Sequence, residues 1–72
     1  MMSKYIINKN AQSDGFHEVH NENTCNHLPD LPNRVVIGEY NNCYDAVSAT
    51  KQTNPQHDID GCYFCCNACH TR

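Results

Sequence analysis

The sequence predicts a small α+β domain held together by a metal: a short antiparallel sheet, one helix over about residues 43–51, and a cysteine-rich knuckle near the C-terminus. Three observations predict it. The chain has only 72 residues and few large apolar ones, and so small a core needs a metal, disulfides or a partner. The run Val35-Val36-Ile37 is β-branched and strand-forming, and helix signals follow it. The third observation is the placing of potential ligands in two clusters. His17, His20, Cys25 and His27 lie upstream; Cys62, Cys65, Cys66, Cys69 and His70 lie downstream.

The elements can be justified in order. Lys4–Asn8 has the pattern of a short strand, and Asn10–Gly15 is turn-like. Phe16–His20 is a second short strand, leading through the polar Asn21–Thr24 to Cys25. Leu28–Asn33 is irregular, because Pro29 and Pro32 remove donors and fix φ. Arg34–Tyr40 is the clearest strand. Asn42 is a helix N-cap, and Asp45 at the third helical position suits the dipole. Cys43, Ala46, Val47 and Thr50 then share one face by spacings of 3, 4 and 7. Thr53–Gly61 is expected to be a polar loop, followed by a knuckle and a short helical turn. Residues 1–72 show no repeat or linker and are expected to form one domain. The tyrosines, Phe16 and Phe64 are expected in the core.

Composition excludes some roles. The net charge is −3, and Lys4, Lys9, Arg34, Lys51 and Arg72 are scattered. Phosphate-backbone binding wants a basic stripe, so a nucleic-acid partner is disfavoured and a protein partner preferred. No apolar run reaches the about 7–15 residues of a secretory leader or the about 20 of a membrane span. A cytoplasmic location is therefore expected, where clustered cysteines bind metal or do redox chemistry more often than they form structural disulfides.

The spacing Cys62-x2-Cys65 suits a knuckle in which two thiolates converge on one cation. A tetrahedral zinc site needs two more Cys or His ligands. His20 and Cys25, separated by four residues of loop, are the leading candidates. On an extended strand His17 and His20 point to opposite faces, so one ion should not take both. His17, His27 and His57 are expected to be exposed or hydrogen-bonded side chains.

Val19-His20-Asn21-Glu22-Asn23-Thr24-Cys25, Leu28-Pro29, Asn33-Arg34, Asp45-Ala46-Val47 and Gly61-Cys62-Tyr63-Phe64-Cys65 together resemble a small zinc-binding module. That module occurs in the Ada DNA-repair protein and in domains appended to bacterial nucleases. The chain also resembles a group of short, uncharacterised bacterial proteins. The resemblance covers roughly residues 16–65 and implies Zn2+ held by His20, Cys25, Cys62 and Cys65. The tail Cys66-Asn67-Ala68-Cys69-His70 has no counterpart in it.

That tail keeps other readings open. It spells Cys-x-x-Cys-His, the c-type haem pattern, although haem attachment requires export. Cys62-x-x-Cys65 has thioredoxin-like spacing, but this chain is too short for that fold. Six cysteines also allow a disulfide framework without metal, in which Cys65 or Cys66 pairs with Cys69, or Cys43 pairs with a tail cysteine. Cys66, Cys69 and His70 are alternative ligands or redox thiols, while Cys43 is expected as a buried small hydrophobe. A closed four-ligand site leaves no position for substrate, so catalysis is not expected. The function classes are a structural-zinc binding or adaptor module, a thiol-based metal or redox sensor, and, from the Ada resemblance, an alkyl-accepting thiol.

Overall fold

A computed structural model of the chain describes residues 2–71. Strands β1 (Ser3–Asn8), β2 (Phe16–Asn21), β3 (Arg34–Tyr40) and β4 (Asp58–Gly61) form one sheet in the order β3-β1-β2-β4. Helix α1 spans Cys43–Thr53. The α+β class and the single helix are as expected. The sheet, however, is mixed. β1 is antiparallel to β2 and β3, whereas β4 lies parallel to β2.

β4 falls in the stretch expected to be a loop. Its sequence Asp-Ile-Asp-Gly has one apolar side chain, and two acids in so short a run normally mark a solvated turn. Here Ile59 enters the core and Asp60 is only 1 % exposed. The buried carboxylate accepts from the Thr71 backbone N–H and hydroxyl at 3.1 Å each. Burying a carboxylate requires such partners, and they come from a part of the chain eleven residues away.

The helix starts where its cap predicts. The Asp45 N–H donates to Asn42 Oδ1 at 2.9 Å, and Ala46, Val47 and Thr50 are its buried residues. They pack with Tyr5, Ile7, Val19 and Ile59, which strand register places on one face of the sheet. Cys25, Cys62, Cys66 and Cys69 complete this cluster, so buried sulfur replaces much of the missing aliphatic core. The aromatic expectation is corrected in part. Tyr5 is buried, but Tyr44, Tyr63 and Phe64 are exposed, because each lies on an outward face of the helix or knuckle. The clearest strand by sequence, β3, is an edge strand with Val35 and Val36 exposed.

Two glycines are required by the backbone. Gly38 has φ 132° beside the register shift in the β1–β3 pairing, a bulge geometry that side chains resist. Gly61 ends β4 under the tail, where an added Cβ would sit 2.8 Å from Cys69 Cβ and 2.9 Å from the Cys66 carbonyl oxygen. No helix among the described residues is long and apolar enough to cross a membrane.

Because one of those contacts is backbone, the tail must shift to admit a methyl group at residue 61. Gly61→Ala is expected to destabilise the fold by about 1–3 kcal/mol, read from urea midpoints at constant slope. An unchanged midpoint would show that the tail does not pack as described.

Candidate metal centre

Parallel strands emit their chains at the same end. β2 and β4 pair Val19 with Gly61, and the Cys62 N–H continues the ladder to the Val19 carbonyl at 2.9 Å. The two ligand segments therefore leave the sheet side by side. His20 lies at the end of β2, and a tight loop follows, in which the Thr24 and Cys25 N–H groups both donate to the Asn21 carbonyl. This loop turns Cys25 back over the strand end. The knuckle after β4 is closed by the Cys66 N–H donating to the Cys62 carbonyl at 2.9 Å.

The result is a cluster of His20, Cys25, Cys62 and Cys65 whose ligand atoms all lie within 4.8 Å of one another. Cys25 Sγ is 3.6 Å from His20 Nδ1 and 3.9 Å from Cys62 Sγ. The first three residues are buried and Cys65 is partly so. Backbone amides reach two of the sulfurs: Asn21 N–H to Cys65 at 3.3 Å and His27 N–H to Cys25 at 3.4 Å. Such donors favour thiolate over thiol. Behind the imidazole, Glu18 Oε1 is 3.9 Å from His20 Nε2. The carboxylate faces the ring nitrogen opposite the one that meets the Cys25 sulfur, at more than hydrogen-bond distance.

The remaining histidines and cysteines lie outside the cluster, with Cys66 at its border. His17 donates from Nδ1 to the Asn8 carbonyl at 3.0 Å and packs against His57, away from the cluster. His27 stacks on Phe64 with ring centroids 3.6 Å apart, tying one ligand loop to the other. Of the alternative ligands, Cys66 is buried with its sulfur 3.9 Å from Cys65 Sγ. Cys69 Sγ is 2.7 Å from Cys43 Sγ. His70 Nδ1 donates to the Gly61 carbonyl at 2.9 Å and lies 3.5 Å from Asp60. The three residues of the haem-like pattern thus have three different partners. Comparisons with protein-family models, with curated proteins and with solved structures each return no match.

Sequence reasoning passed over Glu18, and it left a pairing of Cys43 with a tail cysteine open without saying which one. Glu18 was legible in principle, since residues two apart on a strand share a face. Which tail cysteine meets Cys43 was not, because that depends on how the tail folds over α1.

The raised thiols would make any loading of a cation by the cluster sensitive to acid. On their own the thiols hold their protons. Cys62 is pushed up to about 11, first by its hydrogen bond with Cys65 and then by burial. For Cys65 the hydrogen bond with Cys62 pulls downward, but Cys66 and burial outweigh it and the value reaches about 12. Burial likewise raises Cys25. Loading a divalent cation is therefore expected to release about three protons, one per thiol, seen as acidification of a weakly buffered solution. Apparent affinity should fall steeply as the solution is made more acidic. In chelator and reductant the stability term has the other sense. A raised thiol value contributes fully below the ordinary value of 9.0 and is lost as pH climbs towards about 11–12. Urea midpoints should hold up to pH about 9 and decline above it; a decline beginning at neutral pH would contradict these assignments.

Proposed function

We propose that the cluster binds one Zn2+ as a structural ion and that the protein is a small zinc-stabilised binding module, not an enzyme. One observation carries the proposal: the spacing of the donor atoms. With Zn–S of about 2.3 Å and Zn–N of about 2.0–2.1 Å, tetrahedral edges are about 3.8 Å between sulfurs and about 3.5 Å between nitrogen and sulfur. The separations here are 3.9 Å for Cys25–Cys62 and 3.6 Å for Cys25–His20. A Cys3His set is soft, borderline and buried, which suits zinc over calcium or magnesium.

Four protein donors fill the coordination shell, so the ion has no place for water or substrate. Its contribution is to folding. Zinc binding in comparable small sites is worth about 10–16 kcal/mol of apparent free energy at neutral pH. The binding role is supported by Tyr63 and Phe64, 52 % and 65 % exposed on the knuckle. Metal ligation would fix both at the surface for a protein partner. The net charge of −3 argues against a nucleic-acid partner and against alkyl acceptance on DNA. The kinship with the Ada-type module belongs to the same proposal. What supports it is that the ligand set it implies is the set that converges.

Native mass spectrometry with elemental analysis is expected to find one zinc per chain. Stripping it with a strong chelator should abolish most secondary structure by circular dichroism, and zinc alone should restore it. Cys62→Ser should lose zinc and unfold. Glu18→Gln should fold in excess zinc yet bind it about 10–100-fold more weakly, as losses of carboxylate partners to ligand histidines generally do. A fold indifferent to chelation would sink the structural role.

A further inference from the structure

Two cysteines outside the cluster face each other across the molecule's other seam. Cys43 is the first residue of α1. Cys69 closes the short 3-10 turn Asn67–Cys69 in the tail. Their sulfurs are 2.7 Å apart, against about 2.0 Å in a formed disulfide. The other sulfur contacts, Cys25 to Cys62 within the cluster and Cys65 to its neighbour Cys66, are both 3.9 Å. Neither Cys43 nor Cys69 belongs to the group that could hold a cation.

The seam is already aligned from both sides. Tyr44, next to Cys43, donates its hydroxyl to the Ala68 carbonyl at 3.3 Å. Gly61 allows the Cys69 side chain to lie directly on β4. Closing the pair therefore requires a small movement of side chains that are already held together. Access exists too. Cys69 lines an open cavity of about 330 Å³ between α1 and the tail, with Val47, Lys51 and Thr71 among its walls.

We propose that Cys43 and Cys69 form a thiol–disulfide site, which clamps the C-terminal tail to α1 when a small disulfide such as oxidised glutathione enters the cavity. The exchange balances in two steps. Cys69 thiolate attacks one glutathione sulfur, forming a mixed disulfide and releasing glutathione thiolate, which takes up the proton that Cys69 gave up. Cys43 then loses its proton and attacks the Cys69 sulfur, releasing the second glutathione. Two protein thiols are oxidised and one glutathione disulfide is reduced to two thiols. Cys43 suits the second step. Burial first, and its hydrogen bond with Cys69 next, push it up to about 11, so it holds its proton until the mixed disulfide is made.

The test uses the full chain, as purified, in glutathione buffers of graded redox ratio, with free thiols blocked before peptide mapping. The expected result is a loss of about 2 Da, a linked peptide pair joining Cys43 to Cys69, and unchanged zinc content. Cys43→Ser should stop at a glutathione adduct on Cys69. Oxidation that links Cys25, Cys62 or Cys65, adducts that gather on Cys66, or full alkylation of Cys43 and Cys69 in the most oxidising buffer would each overturn the assignment. Because linkage is read by mapping and zinc by elemental analysis, a chain that never holds zinc still gives a decisive result here.

Discussion

The parallel pairing of β2 with β4 is the constraint on which the rest depends. An antiparallel neighbour would have delivered Cys62 to the opposite end of the sheet from His20. The parallel one delivers both ligand pairs to one edge, although Cys25 and Cys62 are 37 positions apart. Parallel strands need a long crossover, and the chain between β2 and β4 supplies it with β3 and α1. β3 goes to the far side of β1, leaving the edge of β2 free for β4. The helix covers the face that carries Tyr5, Ile7, Val19 and Ile59.

That arrangement is weak on its own. β4 has four residues and a single apolar side chain, and closing the intervening loop carries an entropic cost that grows with its length. Two devices offset it. Asp60 recruits the Thr71 amide and hydroxyl, so the tail folds back over the strand. The four-residue cluster then offers a cation donors from both sides of the junction. A metal there would act as a cross-link between the C-terminal ends of β2 and β4.

The sequence was informative where local chemistry decides structure. The N-cap Asn42, the buried face Ala46-Val47-Thr50 and the strands containing Ile6, Val19 and Ile37 follow from propensity and period. The cluster itself was legible because knuckle spacing and the strand-end position of His20 are local facts. β4 was not, because an Asp-Ile-Asp-Gly segment becomes a strand only when a neighbour presents an open edge and the tail satisfies Asp60. Sheet direction was lost with it, and so was the fate of Cys69 and His70. Each of those side chains is placed by partners distant in sequence, Cys43 and Gly61, which no periodicity announces.

The same logic explains how six thiols in so short a chain avoid confusion. Cys62 and Cys65 leave β4 towards the His20 loop, while the following turn carries Cys69 round to the start of α1. Cys66 lies between, 1 % exposed and sealed beneath the turn that Gly61 admits. A metal at the first site would keep Cys25, Cys62 and Cys65 as ligated thiolates. The Cys43–Cys69 pair would remain available for exchange through its own cavity. Cys66 touches both sites, with its sulfur 3.9 Å from Cys65 Sγ and a side-chain hydrogen bond with Cys43. Burial therefore protects it only from a soluble oxidant, and metal ligation of Cys65 would have to keep exchange from passing along these sulfurs into the ligand set.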